Sequence, residues 1–449
     1  MKPSLLSLLL AAILLGVTED HSMGEAPKSL DEVHEALKEK LSDDDASQIA
    51  TYMKKRMGKS AKLKQGAHSL HLKEKGRDGA AIGWCFEADP SSKIEVVANN
   101  GQRWVLSPLG KTGLHAAVAQ VPNYTAFDYY YLVDGKENRD AKRRVVIDYY
   151  ELGPDSQEQS GVPKGEVIAM TPHTSKEVYP GAERDWWIYV PAQYDPEGPP
   201  AALMVFQDGG WYCHGEGNAA IAFDNLIHQK RMPVTIGVFV NPGIFPPKEK
   251  GGRTIRNRGN EYDTCTSQYA EFLEKEILPL VTAKYKITDD PKRRAICGAS
   301  SGGSCAFTAA WHRPDMFGLV LSQIGSFCDF RPIDDYPHHR EGENVIPLDE
   351  FGPWKTAHDY PAIIRKTHPR KPLRVFLQEG RNDLDNQLGN WFLANQQMAE
   401  ALKFGGYDYK LVLGDGGHSR RHGNAIFPES LDWIWADWKA SSTESGSSN

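Results

Sequence analysis

The chain has 449 residues, of which 25% are charged and 40% hydrophobic, and a net charge of −7. That length accommodates two domains, one with a large core. The acidic balance argues against a nucleic-acid-binding surface, and six cysteines are too few for a disulfide scaffold at this size.

Taken in order, the chain opens on a secretory-signal pattern over residues 1–18: Lys2 is a short basic start and Leu5 to Leu15 an apolar core too short to span a bilayer. A secreted or periplasmic product, with no membrane association once the leader is removed, is expected. Within residues 19–65, Leu30, Val33, Leu37 and Leu41 recur at helical spacing, and Asp43-Asp44-Asp45 precedes a second run with Ile49, Met53 and Met57. Two short amphipathic helices follow from this, too small to be stable without a neighbour.

Residues 66–150 change texture to short β-like runs, separated by turns such as Asn99-Asn100-Gly101 and Asp134-Gly135. A small antiparallel sandwich is expected. Gly101-Gln102-Arg103-Trp104 followed by Asp128 to Gly135 resembles the early-set immunoglobulin-like domains that precede many esterases and glycan-active enzymes. The resemblance makes Trp104, Tyr129, Tyr130 and Tyr131 candidates for glycan contact, although strand alternation sends about half of them into the core. Residues 151–164 are polar and rich in Gly, Ser and Pro, and read as a linker.

Residues 165–440 alternate near-continuous apolar strands with amphipathic helices, the pattern of a mostly parallel sheet covered on both faces. The stretch expected to organise this domain is Arg293 to Phe307. An apolar run ends at Gly298, a small-residue turn carries Ser300, and a helical run starts near Ser304. G-x-S-x-G in that strand, turn, helix context is a nucleophile elbow. Its backbone strain is tolerable only where the neighbours have no side chain, as at Gly298 and Gly302.

A serine hydroxyl needs a base, and the base needs an acid to hold its tautomer. Eight strands with the serine after the fifth is the α/β-hydrolase arrangement, whose chain order is Ser, acid, His. Gly414 to Arg420 places His418 in a glycine-rich loop after the last strand, with His422 as the fallback. The loop after the preceding strand offers Asp383, then Asp385, then Glu379 as the acid. The oxyanion donors expected are the backbone N–H of Ser301 and that of Gly210 or Trp211. Trp211, Tyr212, Phe245, Phe327 and Trp391 follow strand ends and are candidates for a pocket wall, and Arg258, with Arg253 and Arg256, for contact with an anionic substrate. Residues 329–354 read as a cap and 441–449 as a disordered tail. No C-x-x-C or H-E-x-x-H pattern occurs, so neither metal nor cofactor is expected.

Val205 to Trp211, Glu261-Tyr262-Asp263, Glu274 to Pro279 and Gly298 to Gly303 together resemble the esterase family that includes enterochelin esterases, esterase D and the feruloyl and acetylxylan carbohydrate esterases. The resemblance implies a serine carboxylic-ester hydrolase with an acyl-enzyme intermediate. The expected partner is a small-molecule or polysaccharide ester, most readily an acyl ester of a saccharide. Siderophore lactone hydrolysis, acyl transfer to an alcohol, and glycan binding on an inactive hydrolase scaffold are the alternatives.

Overall fold

A computed structural model describes residues 25–57, 63–64, 66–72, 79–214, 217–247, 249, 251–330 and 356–438. The expected leader, most of the expected cap and the expected tail lie outside these residues. The chain divides into two compact units, Met1–Ile147 and Asp148–Asn449.

In the first unit, helices Leu30–Ala36 and Asp43–Met57 form where the spacing predicts them. Ser29 caps the first by accepting the Glu32 N–H, and Asp43 to Asp45 place negative charge in the first turn of the second. Their apolar stripes (Leu30, Val33, Ile49, Met53) bury against Ala81, Cys85, Ala116 and Val118 of the strands, which is how such short helices persist. Seven strands pair antiparallel in one continuous order. Along the strand Thr125–Val133, alternation puts Tyr129 and Tyr131 in the core, with Tyr130 on the other face. Trp104 stacks on the buried Trp84 at 4.7 Å. Two of the four aromatics read as glycan candidates are therefore core residues.

The second unit is built on an eight-stranded sheet. Its strands, in chain order, are Glu166–Ala169, Trp186–Val190, Ala202–Gln207, Thr235–Val240, Arg294–Ala299, Leu319–Gln323, Arg374–Gly380 and Asp408–Gly414. The first two pair antiparallel, the second also runs antiparallel to Thr235–Val240, and the rest are parallel. Both faces are apolar: Leu203, Val205, Ile296 and Val320 pack into one layer, Met204, Phe206, Cys297 and Leu321 into the other. This is why the strands read as unbroken hydrophobic runs rather than alternating ones.

Tyr269, Leu273, Ile277 and Val281 recur at helical spacing, which predicts one helix over Thr264 to Tyr285, but the helix there is shorter and irregular. It runs as α-helix Gln268–Phe272, π-helix Leu273–Ile277 and α-helix Leu278–Thr282. Pro279 has no N–H to give to the preceding turn, and the wider π register lies just ahead of it. Residues 151–164 are also more structured than a linker pattern implies: Asn225 Nδ2 donates to the carbonyls of Asp155 and Gln157, both at 2.9 Å. The loops that follow the fifth, seventh and eighth strands leave the same carboxyl-terminal edge of the sheet, where α/β folds place their sites.

Candidate active site

The turn after Arg294–Ala299 holds Ser300 at φ 59° and ψ −128°, a region that costs a residue with a Cβ roughly 1–3 kcal/mol. Its surroundings over-determine that conformation. The Ser300 N–H donates to Gln323 O at 2.9 Å, and the Ser300 carbonyl accepts the Ser326 N–H at 3.1 Å. The neighbouring glycines are obligatory on contact grounds: a Cβ on Gly298 would sit 2.2 Å from Gly302 O, and one on Gly303 2.7 Å from Ser322 Oγ. The Ser301–His312 helix starts directly behind the hydroxyl.

Ser300 Oγ lies 2.8 Å from His418 Nε2, and His418 Nδ1 lies 2.6 Å from Asp383 Oδ1. A carboxylate only accepts, so the proton sits on Nδ1, and Nε2 is left as the acceptor of the Ser300 proton. Three side chains from three separate loops thus form one donor chain, hydroxyl to imidazole to carboxylate. Asp383 is 4% exposed and Asp385 lies on the exposed two-residue strand Asp385–Asn386, so the choice between them is made by position. His422 is 6% exposed, stacks on Tyr150 at 4.6 Å and meets Gln378 Nε2 at 3.1 Å. It packs beneath the loop that His418 crowns.

The His418 loop is held from outside the sheet. Asp148, 1% exposed, accepts the Gly417 N–H at 3.1 Å, the Ser419 hydroxyl at 2.5 Å and Arg421 Nη1 at 2.5 Å. Residues on both sides of His418 are therefore fixed by one carboxylate. In sequence, Asp148 looks like the end of a β-run, and nothing nearby announces this role.

A second buried acid sits behind the first. Glu379 is fully buried; it accepts the Gly380 N–H at 2.7 Å and Asn395 Nδ2 at 2.5 Å. Burial, then the adjacent Asp383 charge, push its carboxyl well above the usual carboxylate range. Asp383 Oδ1 also accepts the Leu384 N–H at 2.5 Å, and the Asp383 side chain is hydrogen-bonded to that of Glu379, a contact that further raises the Glu379 carboxyl.

At the turn after Ala202–Gln207, the N–H groups read as oxyanion donors have partners: Gly210 donates to Asn241 Oδ1 at 2.9 Å and Trp211 to Asp208 O at 3.0 Å. No bond to the Ser301 N–H is found among the described residues, nor to that of Gly209 in the same turn. Asp208 takes a bidentate grip from Arg258 (2.9 and 2.9 Å) and a longer contact from Arg420 Nη2 at 3.3 Å, while the Arg420 guanidinium lies 4.0 Å over the Trp211 ring. Arg258, expected to face substrate, is thus committed to Asp208. Tyr212 and Phe327, expected at the mouth, are each 1% exposed: Tyr212 donates to Gln323 Oε1, and Phe327 packs edge-on against Phe307. Trp391 does reach the site. Its ring lies 5.7 Å from that of His418, and its indole N–H donates to Ser326 Oγ at 3.1 Å. Ser326 Oγ in turn is 3.2 Å from Ser300 Oγ, a neighbour that sequence reasoning missed.

The arrangement can pass a proton from Ser300 to His418, which is what nucleophilic attack on a carbonyl requires. Known proteins point the same way. The iron(III) enterobactin esterase of Escherichia coli K12 is 23% identical over 221 residues, 49% of this chain and 48% of that one. That of Dickeya dadantii is 29% identical over 156 residues, 34% of this chain and 32% of that one, so the chain spans half or less of these relatives' length. The crystal structure of ferric enterobactin esterase from Salmonella typhimurium shares the fold, with a TM-score of 0.52 and 18% identity over 84% of this chain and 98% of that one. The family model described as "Putative esterase" matches residues 178–434, a span containing Ser300, Asp383 and His418, and the chain belongs to that esterase family.

Proposed function

We propose that the chain is a serine carboxylic-ester hydrolase of the α/β-hydrolase type, working through an acyl-enzyme on acyl esters of saccharides. The observation that carries the chemistry is the unbroken contact from Ser300 through His418 to Asp383, at 2.8 and 2.6 Å. Ser300 attacks the ester carbonyl as His418 Nε2 takes its proton. Asp383 holds the imidazole and stabilises its charged form. The tetrahedral oxyanion falls to the Ser301 N–H and an N–H of the Gly209 to Trp211 turn. Use of Gly210 or Trp211 requires exchange of its present acceptor, whereas Gly209 requires none. His418 then returns the proton to the departing alcohol, and water, activated by the same nitrogen, releases the acid.

The saccharide reading draws on the leader-like residues 1–18, which imply a secreted or periplasmic enzyme. It also draws on the all-β unit, read as an early-set immunoglobulin-like accessory domain. A siderophore lactone is the second reading. It is supported by relatives named as iron(III) enterobactin esterases and by two arginines, Arg258 and Arg420, sharing the single carboxylate of Asp208 beside the elbow. The test is turnover of acetylated xylan, methyl ferulate and a cyclic trilactone of N-acylserine by wild type and Ser300→Ala. Preferred cleavage of the first two supports the saccharide reading and preferred cleavage of the third replaces it. Full turnover by the variant removes the mechanism.

A further inference from the structure

Three hydroxyl and ring donors meet at the nucleophile, and their chemistry fixes the direction of every bond between them. An indole N–H can only donate, so Trp391 donates to Ser326 Oγ at 3.1 Å. The Ser300 proton goes to His418 Nε2, because Nδ1 holds the imidazole proton against Asp383. One proton is left to assign in the 3.2 Å contact between Ser326 Oγ and Ser300 Oγ, and it is the Ser326 proton. Ser326 is 1% exposed, so solvent does not compete for it.

From this order of bonds, we infer that Ser326 is a further catalytic residue: its hydroxyl donates to the nucleophile oxygen and stabilises the negative charge that oxygen carries whenever its bond to the acyl carbon is made or broken. The inference rests on Ser300 being the nucleophile. Ser326 does not transfer its proton. In acylation the Ser300 proton moves to His418 Nε2, the Ser300 Oγ–carbon bond forms, and the leaving alcohol carries the proton off. In deacylation water adds to the acyl carbon and gives its proton to Nε2; the Oγ–carbon bond then breaks and Oγ regains the proton from Nε2. The second half has Ser300 Oγ as its leaving group, so a fixed donor to that oxygen has its largest effect there.

The site is built to keep that donor in place. Asn395, fully buried, donates from Nδ2 to Gly325 O at 2.9 Å and contacts Trp391 O at 3.0 Å, tying the Ser326 turn to the helix that carries Trp391. The backbone of Ser326 is bonded to that of Ser300 as well. A hydroxyl needed only to fill space would not require an indole N–H to orient it.

The test is a pre-steady-state burst with p-nitrophenyl acetate on the full chain. Ser326→Ala is expected to keep a burst of about one equivalent per site while the following steady rate falls roughly fivefold to tenfold, the loss of one neutral hydrogen bond. Trp391→Phe, which removes only the orienting N–H, is expected to slow the same phase about threefold and to add nothing in the Ser326→Ala background. Steady rates within twofold of wild type in Ser326→Ala, or independent effects of the two changes, overturn the role of Ser326 while leaving the nucleophile assignment intact. A wild-type enzyme without a burst, together with an active Ser300→Ala, overturns the assignment itself.

Discussion

The second unit buries two kinds of carboxylate, and the contrast between them separates fold from function. Glu261 and Glu276 are saturated. Glu261 takes both arms of the fully buried Arg184 at 2.7 and 3.0 Å, plus Asn257 Nδ2 at 2.8 Å and the Gly243 N–H at 3.1 Å. Glu276 accepts Ser175 Oγ and the Val178 N–H, each at 2.8 Å, the Lys176 N–H at 3.0 Å, and meets His173 Nε2 at 2.8 Å. Asp383 and Glu379 are buried just as deeply, but the two carboxyl groups bond to each other, and burial with the Asp383 charge drives Glu379 toward its neutral form. Saturated acids hold loops in place. Two carboxyl groups packed against each other, beside a serine with a positive φ, mark where the fold tolerates an unfavourable arrangement.

The comparison can be broken by mutation. The largest effect belongs to the base that the paired acids face: His418→Ala should lower kcat about 10⁴-fold in steady-state ester assays, with the melting temperature little changed. Saturated residues should show the reverse. Glu261→Ala strands the buried Arg184 charge and should cost about 3–5 kcal/mol in denaturant unfolding; unaltered stability would erase the distinction. Glu276→Gln should cost about 1–3 kcal/mol at neutral pH. Burial alone would raise the Glu276 pKa, but the Val178 N–H, His173, Ser175 and the Lys176 N–H outweigh it and hold the group at about 2. Its folded pKa is below its unfolded one, so its contribution is present above the ordinary glutamate range of about 4.3 and is lost as pH falls toward 2. Wild type and Glu276→Gln should therefore converge in stability in acid.

Asp148→Ala sharpens the contrast from the other side, because Asp148 is saturated yet grips the His418 loop. It should lower kcat about tenfold with KM unchanged, by loosening the base, and Asp148→Asn should recover part of the loss. The smallest effect is expected for Glu379→Gln. A group whose folded pKa is raised makes folding weaker as pH climbs past its unfolded value, and the amide lacks that penalty. Activity should stay within about threefold, and the variant should gain stability relative to wild type at pH 8 but not at pH 4.

Much of this was legible in the sequence. The strands of the second unit announce themselves because both of their faces are buried, and Ser300, Asp383 and His418 follow the fifth, seventh and eighth strands in the order that the sheet requires. What the sequence could not convey depends on contacts between distant loops. Ser326 stands three residues past a strand end in an ordinary Gly-Ser-Phe turn, and only the fold brings it to Ser300. Asp148 closes a β-run 270 residues before the loop it anchors, with no local pattern to mark it. Tyr212 and Phe327 follow strand ends, as pocket residues do, but side-chain direction there is set by packing, and both point into the core. The π-helix ahead of Pro279 was not foreseen, because the apolar spacing of Tyr269, Leu273, Ile277 and Val281 reads as one continuous helix.

The central claim is that the Ser300 oxygen becomes covalently acylated. Labelling the full chain with a fluorophosphonate, followed by peptide mass mapping, tests it most directly. The account predicts a single stoichiometric adduct on Ser300, absent from Ser300→Ala and strongly slowed in His418→Ala. An active enzyme whose adduct maps to another residue, or which takes no adduct while turning over ester, would contradict it.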